Sequence, residues 1–124
     1  MQDRRFETRL LCADLIDVWW TDESGRSVKA LANLEDISSS GACLQLDMPV
    51  GAGTTLHICH PKVEFEGRVR YCVFREIGYF VGVQFAPDFH WDARLFRPDH
   101  LLDPRSLLGL EQRLPAKLPP GKVQ

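Results

Sequence analysis

Two short runs hold the residue types from which a binding site can be made. The first is Arg4-Arg5-Phe6-Glu7-Thr8-Arg9, an R-x-x-x-R at Arg5 and Arg9 with another arginine in front of it. A guanidinium is a planar fork of N–H donors. It matches phosphate oxygens and the O6/N7 edge of guanine and also stacks on base faces, so arginines on an arm suit a guanine nucleotide. By itself the run reads equally as a solvated basic segment. The second run is Asp36-Ile37-Ser38-Ser39-Ser40-Gly41, a D-x-S-x-x-G. An aspartate accepts from the N1 and N2 donors of guanine, and a serine hydroxyl bonds phosphate or backbone. A glycine lets the main chain turn or approach a ligand closely. Alone, this run is also an Asx or Ser turn joining two strands.

The elements that must position these runs are strands. Leu11 to Trp20 is rich in apolar and β-favouring residues and stops at the polar cluster Thr21-Asp22-Glu23-Ser24-Gly25, which predicts a strand and a hairpin turn. Val28, Ala30, Ala32 and Leu34 then alternate with Lys29, Leu31, Asn33 and Glu35, and Ala42, Leu44 and Leu46 with Cys43 and Gln45. A fourth strand runs from Thr54 to His60. In a long fifth, Val63, Phe65, Val69, Tyr71 and Val73 form one face and Glu64, Glu66, Arg68, Arg70 and Cys72 the other, with Gly67 at an inward position that suggests a bend or bulge. Tyr79, Val81, Val83 and Phe85 mark a sixth, with Phe80, Gly82 and Gln84 on its other face. Six short strands with turn signals between them predict a mainly β fold, a six-stranded antiparallel barrel whose closure removes sticky edges. Asp103-Pro104 offers an N-cap and a first-turn proline for a short C-terminal helix lined by Leu107, Leu108, Leu110 and Leu114.

Composition excludes several classes of function. The chain of 124 residues suits one domain, and 15 basic against 17 acidic side chains give a net charge of -2, so no global field exists to hold a nucleic acid. No apolar stretch is long enough to span a membrane and no signal-peptide pattern opens the chain, which leads us to expect a cytoplasmic protein. The four cysteines, Cys12, Cys43, Cys59 and Cys72, form no CxxC pair and read as small buried hydrophobes in a reducing compartment. In His57-Ile58-Cys59-His60 a strand would turn His60 away from His57 and Cys59, so no metal site is expected. Trp19 and Trp20 should point to opposite faces for the same reason. No nucleophile elbow, P-loop, dinucleotide fingerprint or HExxH occurs, spacing alone places none of the four histidines as a base beside Ser38, and no catalytic residue or cofactor is assigned.

An R-x-x-x-R arm, a D-x-S-x-x-G about thirty residues later and a late strand reading Tyr79-Phe-Val-Gly-Val-Gln-Phe85 together resemble the PilZ domain family, over roughly Arg4 to Phe85. The resemblance implies a PilZ-like barrel that binds the bacterial second messenger cyclic di-GMP on its outer surface. Arg5 and Arg9 would clamp guanine and phosphate, with Arg4 able to stack on a second guanine or to take over part of the role of Arg5. Asp36 would pair with a guanine edge, Ser38 would hold phosphate or base, Gly41 would permit the turn, and Gly82 would leave room beside the ligand.

The expected organisation is an arginine arm over residues 1–10, a barrel over 11–87, an irregular segment and helix over 88–114, and a flexible tail over 115–124. With no output domain legible, the expected function is a receptor or adaptor without enzymatic turnover: the arm, mobile when free, closes on cyclic di-GMP and the protein signals by contact with an effector protein. The alternative is a PilZ-like interaction module that does not bind nucleotide; a barrel for single-stranded nucleic acid fits less well because no basic stripe exists.

Overall fold

Alternation of period two becomes six strands, β1 (Leu10–Thr21), β2 (Ser27–Ile37), β3 (Gly41–Leu46), β4 (Thr55–His60), β5 (Val63–Arg75) and β6 (Gly78–Phe85), in a computed structural model that describes residues 8–106. The fold is mainly β. All neighbours pair antiparallel, and the order β1-β2-β3-β6-β5-β4 closes into a barrel because β4 returns to β1 through Asp17/Cys59, Val18/Ile58 and Trp19/His57. The polar cluster after β1 is the hairpin turn it was expected to be. Asp22 Oδ1 accepts from the backbone N–H groups of Ser24 and Arg26 and from the Ser24 hydroxyl, and Gly25 takes a φ of 88°. These bonds, the Ser24 hydroxyl first, hold the Asp22 carboxyl below its usual range.

The inward faces supply the core. Ile16, Val18, Ala32, Leu34, Leu44, Leu56, Ile58, Val69 and Val81 are all buried. Trp20 joins them while Trp19 stays outside, stacked on His57 with ring centroids 3.9 Å apart. Beyond β6 the aromatic residues close one end of the barrel. Phe96 is 1% exposed, Phe65 stacks on Phe89, His60 stacks on Phe96, and Trp91 Nε1 donates to the Phe96 carbonyl at 3.1 Å. These rings pack against one another and against the barrel. The same segment is tied back to the start of β1 by reciprocal backbone bonds between Leu11 and Leu102. Asp103 caps a turn at Pro104–Ser106, its Oδ1 accepting from the Arg105 N–H at 2.9 Å. The leucines expected to extend this helix, Leu107, Leu108, Leu110 and Leu114, lie outside the described residues, as does the tail.

Two details of β5 differ from the alternation read in the sequence. The register slips between Val69 and Tyr71, so Tyr71 and Val73 stand on the outer face and Cys72 faces Val81. A bulge adds one residue on one strand, and every side chain beyond it changes face. The irregularity therefore falls past Gly67 and not at it. Gly67 serves close packing instead. A Cβ there would collide with the Val83 side chain and come within 2.9 Å of the Gln84 carbonyl, so its bareness lets β5 and β6 close over the core.

Candidate functional site

Asp36 sits near the end of β2, opposite Leu11 on one side and Cys43 on the other, just past a register shift between Leu34 and Asp36. Arg9 immediately precedes β1, whose first two residues, Leu10 and Leu11, pair with Ile37 and Asp36. Arg9 Nη1 donates to Asp36 Oδ1 at 2.6 Å across 27 residues of sequence. The guanidinium side is 54% exposed and the carboxylate side 19%, so the pair sits at the surface with its remaining donors and acceptors open to a ligand.

The turn that follows is built from its own backbone. The Ser38 N–H donates to the Gly41 carbonyl at 2.8 Å and the Ser38 hydroxyl to the same oxygen at 3.3 Å; Ser38 is 3% exposed. In this state Ser38 shapes the turn. The carbonyls of Ser39 and Ser40 accept from the N–H groups of Trp91 and Phe85, which fastens the turn to the aromatic end of the barrel and to β6. Gly41 is needed for proximity. A Cβ there would stand 2.6 Å from the Val83 carbonyl, so a side chain would force β3 away from β6.

Outward from Asp36 the pairing runs to Cys43 on β3, Gly82 on β6 and Tyr71 on β5. The space left by the missing side chain of Gly82 is taken by the Tyr71 ring, which a Cβ at position 82 would enter. The Tyr71 hydroxyl and the Cys43 thiol interact across the two strands. Burial, helped by the Asp36 charge, pushes the Cys43 thiol up to about 11, and burial together with Asp36, Asp14 and Glu35 pushes Cys12 up to about 12. Both stay protonated near neutrality and are poor nucleophiles. Burial, then Cys43, also raises the Tyr71 phenol, so it remains a neutral donor.

The structure thus brings together Arg9 and Asp36 in direct contact, Ser38 and Gly41 in the adjoining turn, and Gly82 two strands away. Arg4 and Arg5 lie outside the described residues. Tyr71 is the site residue that the sequence did not reveal. Its signal was the break in polarity at Cys72, where the charged outward positions of β5 end. Gly82 was expected to leave room beside a ligand, but the Tyr71 ring fills that room; what the arrangement offers to a planar, donor-rich ring and to anions is guanidinium donors, a carboxylate acceptor and a tyrosine ring seated over the glycine. Among the described residues no group of three or more His, Cys, Asp or Glu could hold a metal ion.

A closed six-stranded barrel thus carries an arginine–aspartate pair and a serine–glycine turn at its surface. The chain belongs to the PilZ domain family, whose sequence profile matches residues 3–90, and that family is one of cyclic di-GMP-binding modules. A search of curated proteins gives no match. Among the described residues no helix is long and apolar enough to cross a membrane.

Proposed function

We propose that this protein is a cyclic di-GMP receptor that acts as an adaptor, holding the nucleotide against the outer wall of the barrel and passing the signal on through protein contact. The observation that carries the reading is the Arg9–Asp36 pair, which joins the last arginine of R-x-x-x-R to the first residue of D-x-S-x-x-G at 2.6 Å. Two motifs 27 residues apart meet at one point of the surface, each with the chemistry the other lacks. Asp36 accepts from the N1 and N2 donors of a guanine while Arg9 turns its free donors to phosphate or to the guanine O6/N7 edge. Arg5 and Arg4, upstream on the same arm, add further donors. The bound arm loses backbone entropy of about 1–2 kcal/mol per residue, which several charge-assisted bonds of about 1.5–3 kcal/mol offset. Tyr71 and Gly82 form the floor, and Gly41 keeps it flat by holding β3 against β6.

The adaptor role is supported by the hairpin that carries the floor. β5 and β6 run on past the core, and the tip exposes Phe74 at 64% and Ile77 at 69%. Apolar side chains held out in this way are a contact surface for an effector protein, and they share two strands with the proposed ligand floor.

Isothermal titration with cyclic di-GMP tests the reading. Wild type should release binding heat, Arg9→Ala should bind at least tenfold more weakly, and the ligand should slow hydrogen exchange of residues 4–10. Absence of heat from the wild type, or full affinity in Arg9→Ala, would refute it, leaving an interaction module that does not use nucleotide.

A further inference from the structure

We infer that Arg68 and Arg70 of β5 form a second anion-holding arm of the same site, receiving the phosphate of the bound nucleotide farther from Arg9. The inference rests on the cyclic di-GMP reading above and extends it to residues outside both motifs. On a regular strand Arg68 and Arg70 would be followed outward by Cys72. The bulge between Val69 and Tyr71 instead leaves Arg70 as the unpaired extra residue beside an outward Tyr71. Both arginines then line one groove of about 320 Å³ on the barrel's outer wall, with Thr55, Glu66, Gln84 and Ala86.

That groove is linked to the site through the strand pairing. Arg68 pairs with Gln84, and Gln84 pairs with Gly41 of D-x-S-x-x-G, so motif and groove are two strand spacings apart, about 10 Å. One register step along, Tyr71, Gly82 and Cys43 lead in the same way to Asp36. The strip between the two ends carries no charged side chain in either row: Cys43, Gly82 and Tyr71 in one, Gly41 and Gln84 in the other. A ligand lying across it and gripped at one end by Arg9 and Asp36 presents its other phosphate to β5.

Both arginines have donors to spare. Among the described residues Arg70 has no hydrogen bond or ion pair, and Arg68 has only a long bond of 3.4 Å to the Gly53 carbonyl. Glu66, the one acid in the groove, faces His57 across the strand at 4.0 Å. Two uncompensated guanidinium forks side by side in a concave polar groove match a phosphate diester, whose oxygens accept from both.

The test is a titration with cyclic di-GMP of the wild type, Arg68→Ala/Arg70→Ala, Arg68→Lys/Arg70→Lys, Arg9→Ala and Arg26→Ala, at low and moderate salt. The alanine pair should lose about tenfold or more in affinity and show a shallower salt dependence than wild type. The lysine pair should keep the salt dependence and recover part of the affinity. Arg26→Ala, in the β1–β2 hairpin turn and outside the lining of the groove, should match wild type. If the alanine pair binds like wild type while Arg9→Ala does not, the second arm is overturned and the receptor reading stands. If the wild type itself gives no heat, both fall. A loss in Arg26→Ala as large as in the alanine pair would mean that general charge matters and not this groove, which also overturns the inference.

Discussion

The ring of Tyr71 occupies the place where a side chain at position 82 would stand, so the aromatic face and the glycine form one surface element from two strands. Adding a methyl group to Gly82 drives that ring outward. Tyr71 is 45% exposed, so its ring can shift outward at the expense of its contact with Cys43, and Gly82→Ala should cost less than about 1.5 kcal/mol of stability. Gly41→Ala, which meets the Val83 carbonyl, has no such escape and should cost more, toward about 3 kcal/mol. Urea unfolding of the two variants checks the order, and equal losses would mean that the ring is not the yielding partner.

Arg9 and Asp36 touch at the surface, where exposed ion pairs contribute only about 0.2–1 kcal/mol to folding. Arg9→Ala and Asp36→Ala should therefore unfold within about 1 kcal/mol of the wild type while both lose ligand affinity. A variant that binds poorly because it is partly unfolded would show itself in the same urea titration.

The thiols of Cys12 and Cys43 are pushed up from 9.0 to about 12 and about 11 in the folded chain. A folded-state value above the unfolded one means that the neutral form is favoured by folding. The contribution to stability is complete below about pH 9 and is lost as pH climbs toward 11. Urea midpoints should fall across that interval, and the fall should be shallower in Cys12→Ala/Cys43→Ala. Below pH 9 the two thiols should resist alkylation in the native protein.

Phe96 is nearly sealed among Phe65, His60 and Trp91. Truncation to alanine should cost about 3–5 kcal/mol. Ile77→Ala, at the exposed hairpin tip, should stay within about 0.5 kcal/mol. A small loss at Phe96 would show that the aromatic segment is a loose flap and not the closure of the barrel.

The strands were legible because a half-buried strand writes its two faces into the chain, as in Val28 to Glu35 and Ala42 to Leu46. The pairing of Arg9 with Asp36 was foreseeable only as two motifs with matching chemistry. Their meeting depends on the pairing of β1 with β2 and on a register shift that no local pattern reveals. Bulges are the general reason for what stayed hidden. They change the facing of Tyr71 and Val73 without changing composition, and so a run that reads as one long alternation holds an outward tyrosine and an arginine-lined groove. Gly41, Gly67 and Gly82 were visible as glycines, but the neighbour each one makes room for, a carbonyl, a valine or a tyrosine ring, is a property of the closed barrel.

Closure itself rests on a short zipper. β1 and β4 meet over three residue pairs, against six or more where β3 meets β6 and β4 meets β5, and the stacked rings of Trp19 and His57 lie across that seam from outside. With the shortest ladder in the sheet, this seam is where the fewest pairings must break for the barrel to open. When the seam parts, two strand edges appear at once, each a template for another chain. The half-buried indole is thus the fastener that keeps a closed barrel from becoming the first rung of an aggregate.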